Sequence, residues 1–222
     1  MDILHKNKDF IVCIKPQGIP SQPDTSGCID MTVILKEHLN SLGEKDDIFV
    51  VHRLDRATGG IILYARNKKA AAEFSQLVAQ KEGFEKHYLA IVSGTPKEKC
   101  GTMNDYLFKD SAQKKSFVVK NERKGAKIAT LDYEVKQSIT EENNKTFSLL
   151  EIKLHTGRFH QIRAQFSSHG MPIYADGKYG SREKAPHFAL WASKIAFTYK
   201  DKHYEFESSP NFDISPWILF NN

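Results

Sequence analysis

The feature that most limits how this chain can fold is an unbroken apolar run, Ile61-Ile62-Leu63-Tyr64-Ala65, entered through two glycines and left through Arg66-Asn67. A short apolar run bounded by turn residues reads as a buried strand. Ahead of it lies a polar segment, Val51-His52-Arg53-Leu54-Asp55-Arg56-Ala57-Thr58-Gly59-Gly60. The order predicts a polar loop feeding a core strand, and loops held on rigid strands are where chemistry tends to be placed. Asp55 stands between Arg53 and Arg56, so nearby positive charge favours its ionised form.

The remaining elements follow from periodicity and punctuation. Phe10-Ile11-Val12-Cys13-Ile14 predicts a strand that ends at Lys15-Pro16-Gln17-Gly18-Ile19-Pro20, where two prolines and a glycine force a loop. Residues 32–42 predict a helix stopped by Gly43. Asn67 is placed to cap a second helix over 68–81, with Ala70, Phe74, Leu77 and Val78 on one face as core and Gly83 as the stop. Residues 85–94 predict a strand from their β-branched and aromatic content. Antiparallel pairing is expected over 100–139, with a turn at 140–145 and a half-exposed strand carrying Leu150, Ile152 and Leu154. The segment His155-Thr156-Gly157-Arg158-Phe159-His160-Gln161-Ile162-Arg163 opens a third helix that runs to about Ser168, with Gly170 as its C-terminal cap. Phe159, Ile162 and Phe166 are assigned to its apolar face, and His160 and Arg163 to a different side. Apolar strands around 195–197 and 204–206 and a Pro216-Trp217-Ile218-Leu219-Phe220 tail close the chain.

Composition excludes several classes. Forty per cent hydrophobic residues across 222 positions can build a substantial core, so a disordered chain is ruled out. The formal net charge of +5 is compatible with a polyanionic partner. Cys13, Cys28 and Cys100 form neither a disulfide framework nor a Cys-x-x-Cys metal pair, which suits a reducing compartment. The first ten residues lack the apolar core of a signal peptide, and no run approaches the roughly 18 apolar residues of a membrane span. The expectation is a cytoplasmic protein. No glycine-rich dinucleotide fingerprint, P-loop or His-Glu-x-x-His is present. Lys109, Lys114, Lys115, Lys120, Arg123, Lys124 and Lys127 crowd one segment, either as a solvated face or as phosphate contacts.

Four ordered stretches carry a resemblance. His52-Arg53-Leu54-Asp55 with Thr58 and Gly60 resembles the His-Arg-Leu-Asp-x-x-Thr-Ser-Gly motif of the RluA-type pseudouridine synthases, with Gly59 where that family usually has serine. Lys15-Pro16-x-Gly18-Ile19-Pro20 is similar to the family's first motif, which lies against the catalytic loop. Lys86-x-Tyr88-x-Ala90 resembles the motif whose tyrosine stacks on the target uridine. Leu154-x-Thr156-Gly157-Arg158-x-His160-Gln161-Ile162-Arg163 matches a fourth, and Trp191, within Leu190-Trp191-Ala192, stands where histidine is usual.

The resemblance, which runs from about residue 10 to 206, implies a mixed α/β (α+β) catalytic fold. Its sheet would be largely antiparallel with flanking helices. Residues 1–222 are expected to form one catalytic domain with no separate N-terminal RNA-binding domain. The implied activity is isomerisation of uridine to pseudouridine in ribosomal or transfer RNA, by a monomer using neither cofactor nor metal. The target base would be flipped out, because its reacting atoms are inaccessible in a stacked helix. Asp55 is the implied nucleophile or base and Arg163 the cation paired with it, with Arg158 as the fallback. Tyr88 would stack on the uracil and assist proton removal from carbon 5. Arg53 would fill the gap left by the flipped base. Ile162 and Leu190 are candidate walls of the base pocket, and His52, His160 and Gln161 are further candidate substrate contacts. Two rival readings stand beside this one. The first is a catalytically inactive RNA-binding module of the same fold. The second is a metal hydrolase built on His155, His160, His169 and Asp176, disfavoured because a five-residue spacing does not put His155 and His160 on one helix face.

Overall fold

The structure is a computed structural model that describes residues 1–25, 27–44, 47–80 and 83–221. The chain divides into two compact units, 1–85 with 191–210 and 86–190 with 211–222. In each, mixed α/β content is built on a largely antiparallel sheet, as expected.

The first unit contains β1 (Ile3–Lys6), β2 (Phe10–Lys15), α1 (Met31–Ser41), β3 (Phe49–Val50), β4 (Gly59–Ala65) and α2 (Lys68–Ala79). β10 (Leu190–Tyr199) and β11 (Lys202–Glu207) return to it from late in the chain. The strands lie in the order β1-β2-β4-β10-β11, with β3 also paired to β4. All these pairings are antiparallel except β4 with β10, which is parallel and aligns Gly59 with Trp191 and Gly60 with Ala192. Every residue of β4 is buried, which is why its sequence carries no alternation. One side of the sheet supplies Phe10, Val12, Ile61, Leu63, Ala65, Ile195 and Phe197 to a core that Ala70 and Phe74 of α2 complete. Ile11, Cys13, Ile62 and Tyr64 alternate with these along the same strands and are equally buried. Asp30 caps α1 by accepting from the Thr32 amide at 2.8 Å, and Asn67 caps α2 by accepting from the Ala70 amide at 2.9 Å. The helix predicted over 68–81 is helical to Ala79, and its expected last residue, Lys81, lies outside the described residues.

The second unit contains β5 (Phe84–Ser93, from Lys86 onward), β6 (Cys100–Asp110), β7 (Lys115–Val119), β8 (Ala126–Thr140), β9 (Thr146–Leu154) and α3 (Gln161–Ser168). Its strands run β5-β9-β8-β6-β7, each antiparallel to its neighbour, so local hairpins build most of it. The polar stretch 140–145 is the turn between β8 and β9. α3 packs on β6 and β7. It is not the amphipathic helix the sequence predicts, because Gln161 through Phe166 are all buried. Phe159 and His160 precede its first turn, and Arg163 points into protein. Among the described residues, no helix is long and apolar enough to cross a membrane.

Candidate functional site

In the first unit the Asp55 loop is fastened to the loop after β2 by an unusual density of hydrogen bonds. The Ser21 hydroxyl donates to the Leu54 carbonyl at 2.9 Å and accepts from the Leu54 amide at 3.1 Å. The Gly18 amide donates to the Arg56 carbonyl at 2.9 Å, and the Arg56 Nε donates back to the Gly18 carbonyl at 2.8 Å. Gln17 Nε2 donates to the Ala57 carbonyl at 2.9 Å. The Thr58 amide closes the turn on the Asp55 carbonyl at 3.0 Å. A loop that would otherwise be mobile is thereby held in one geometry.

Lys15 is at the centre of this fastening. Its side chain is fully buried, and Nζ donates to the carbonyls of Pro16 at 2.9 Å, Ile19 at 2.7 Å and Arg56 at 3.0 Å. Three protons meet three acceptors, the arrangement a buried ammonium needs. Burial pushes Lys15 down to about 7, while the negative charge of Asp55 pulls it back up. The sequence predicts Arg53 and Arg56 as the cations beside Asp55. In the structure Arg56 is engaged by the Gly18 carbonyl and the Cys28 sulfur, Arg53 is exposed, and Lys15 is a buried cation that feels the charge of Asp55.

His52, a candidate substrate contact from the sequence, is tied into the fold. Its ring is buried, and Nε2 accepts the Leu63 amide of β4 at 3.0 Å. Gly60 has φ +109°, and a Cβ there would fall 2.2 Å from the Ala192 carbonyl oxygen. Only glycine fits that step from loop to strand.

In the second unit Tyr88 is buried on β5, opposite Ile152 of β9. Lys86, two residues earlier, is held below the usual lysine range by its burial. Arg163 leaves the first turn of α3 and makes a two-pronged ion pair with Asp176, Nε to Oδ2 at 2.6 Å and Nη2 to Oδ1 at 2.9 Å. The faces of Tyr179 and Phe188 lie 4.9 and 4.4 Å from its guanidinium carbon. Ile162 and Leu190, the candidate pocket walls, are buried.

Gln161, another candidate substrate contact, is also hydrogen-bonded within the protein. Its amide is buried, accepts from Thr156 Oγ1 at 2.7 Å and from the Arg158 amide at 3.0 Å, and donates to the Thr130 carbonyl at 3.1 Å. Both ends of the amide are committed within the protein, where they shape the turn that leads into α3. His160, in the left-handed region at φ 52°, stacks on Phe159 and shares a 2.9 Å hydrogen bond with the Tyr179 hydroxyl. Arg158 is exposed and donates from Nε to the Ile128 carbonyl at 2.9 Å. The residues of the metal-hydrolase reading go to four different partners: His155 to Asp132, His160 to Tyr179, His169 to Asp105 and Asp176 to Arg163. Sequence reasoning assigned no role to Lys15 or Gln17 and placed Asp176 only in the metal-hydrolase reading. Lys15 opens a stretch that resembles the family, and its presence there was the available signal.

Comparison with known proteins settles the lineage. The family described as RNA pseudouridylate synthase matches residues 9–168. The chain belongs to this family. It is 31% identical over 189 residues to an uncharacterized RNA pseudouridine synthase of Aquifex aeolicus, covering 83% of this chain and 58% of the relative. It is 33% identical over 184 residues to the ribosomal large subunit pseudouridine synthase D of Borreliella burgdorferi, covering 80% of this chain and 54% of that protein. The chain thus spans little more than half the length of these relatives. The human RNA pseudouridylate synthase domain containing 1 shares the fold, with a TM-score of 0.80 at 21% identity over 95% of this chain and 84% of that one.

Proposed function

We propose that this protein is an RNA pseudouridine synthase that isomerises uridine in ribosomal or transfer RNA. The observation that carries the reading is the Asp55 loop: a carboxylate on a turn fastened at Leu54, Arg56 and Ala57, beside a fully buried ammonium. A surface aspartate needs no such support, whereas a reacting carboxylate must be held within a fraction of an ångström. The family relation and the name of the Borreliella burgdorferi relative support ribosomal RNA as a substrate class.

In this reading Asp55 is the nucleophile or base at the sugar while the bond from ribose to the uracil nitrogen breaks. The base turns, and carbon 5 bonds to the ribose and releases its proton. Tyr88 provides the ring for the uracil and assists that last proton transfer. Arg163 is the cation assigned to Asp55, and the ion pair with Asp176 sets the plane of its guanidinium. Arg53, exposed on the loop, replaces the flipped base in the RNA stack. Both units are assigned to one catalytic domain, acting as a cytoplasmic monomer.

The test is release of tritium from RNA labelled at carbon 5 of uracil. The parent protein releases it. Asp55→Asn releases none yet retains RNA affinity, because phosphate contacts dominate binding. Turnover by Asp55→Asn at the parent rate would refute the assignment.

A further inference from the structure

Gly59 opens β4 opposite Trp191 of β10 in a parallel register. A Cβ added at Gly59 would lie 2.4 Å from Cζ3 and 2.7 Å from Cε3 of the Trp191 indole, and 2.8 Å from Cγ of Gln17. The six-membered half of the indole therefore occupies the space in which any side chain at position 59 would begin. Gln17 crowds the same point, and its amide is the group that ties down the Ala57 carbonyl at 2.9 Å. Ala57 lies between Asp55 and Gly59, so the indole and Gln17 meet the Asp55 turn at two points, the ring at its Gly59 end and Gln17 at Ala57. The indole Nε1 is buried without a hydrogen-bond partner among the described residues. Shape and not polarity accounts for its place, since a buried N–H is ordinarily paired.

The geometry points to Trp191 as a positioning residue for the Asp55 turn, wedged against Gly59 and Gln17. The assignment rests on the proposed synthase activity. It also explains why two departures from the family pattern occur together. Glycine in place of serine at 59 and tryptophan in place of histidine at 191 are one packing event, in which a loop side chain is exchanged for a ring that braces the loop from the neighbouring strand. Positions 59 and 191 are consequently not free to change one at a time.

A two-site cycle tests this, with kcat and KM for tritium release as the readout. Gly59→Ser alone forces the indole aside and lowers kcat by about a hundredfold, the scale of an ångström-sized misplacement, with KM for RNA little changed. Trp191→His removes Cε3 and Cζ3, the two atoms that collide, and loosens the brace, so kcat falls less. Gly59→Ser with Trp191→His recovers most of the parent kcat, because the serine then has room. Should Gly59→Ser not fold, Trp191→Phe and Trp191→Ala replace it: both keep KM and lower kcat, alanine more than phenylalanine. An active parent with full turnover in Gly59→Ser, additive effects in the double variant, or losses confined to KM overturns the positioning role alone. An inactive parent overturns the synthase reading and the role with it.

Discussion

At the scale of single residues, the most informative side chain is a lysine that a surface-minded reading would leave in solvent. Lys15 is buried beneath the Asp55 loop and bonds three carbonyls, one of them from the loop itself. Its ammonium is pushed down to about 7 by burial, whereas the unfolded chain protonates it up to the ordinary lysine range. Between those limits the unfolded state holds a proton that the folded state has lost, so stability rises with pH across the window, by at most about 1.4 kcal/mol per pH unit. Below pH 7 both states are protonated and the slope vanishes. Lys15→Met lacks this titration, so the gap in unfolding free energy between parent and variant widens from pH 7 to 9 in urea denaturation. A gap that stays constant over that range would show that the three carbonyls hold the proton in the fold. The variant also strands three buried carbonyls and is less stable at every pH. Lys15 was legible only as part of a motif, because nothing in a sequence says that a lysine ending a strand turns inward.

At the scale of elements, the strands were readable and the helix that carries Arg163 was not. β2 and β4 announce themselves as uninterrupted apolar runs, because strands covered on both sides have no polar face to alternate with. α3 fails the corresponding test for helices. Its sequence mixes Gln161, Arg163 and Gln165 with Ile162 and Phe166, which reads as a half-exposed helix, yet all five are buried. The polar members survive burial because each has a partner: Gln161 binds the loop before it, Arg163 binds Asp176, and the Gln165 amide donates to Asp105 and the Ala129 carbonyl. The partners of Arg163 and Gln165 come from outside the helix and its entry loop, which periodicity cannot see. Removing one leaves a buried charge uncompensated, so Asp176→Ala is expected to lose about 3–5 kcal/mol of unfolding free energy, measured by chemical denaturation. Asp176→Asn keeps the volume and one acceptor. It is expected to cost less stability but to lower kcat more than it raises KM, since the guanidinium is then poorly aimed.

At the scale of the whole molecule, charge is the property that the proposed RNA substrate would meet. The net charge of +5 is unevenly distributed, with seven lysines and arginines over 109–127 alone. In the structure these residues ride on β6, β7, the start of β8 and the turns between them. Lys109, Lys114, Lys120, Arg123, Lys124 and Lys127 are exposed, and Lys109 and Arg123 lie over the rings of Phe159 and Phe108. If this face tracks phosphates, Lys114→Ala with Lys124→Ala flattens the dependence of log affinity on log salt by about 0.7 to 0.9 for each phosphate no longer neutralised. An unchanged slope in filter binding would make the lysines a solvated surface. Sequence alone determined the buried strands, the turns between them and the catalytic vocabulary of the Asp55 loop, because these depend on local periodicity, backbone chemistry and contiguous motifs. The tertiary structure decided which partner each side chain meets: His52 the Leu63 amide, Gln161 the Thr130 carbonyl, Lys15 the Arg56 carbonyl, Asp176 the Arg163 guanidinium, and Trp191 the space of a missing side chain. Each of those is a pairing between residues far apart in the chain, and burial makes such pairings compulsory only once the elements have packed.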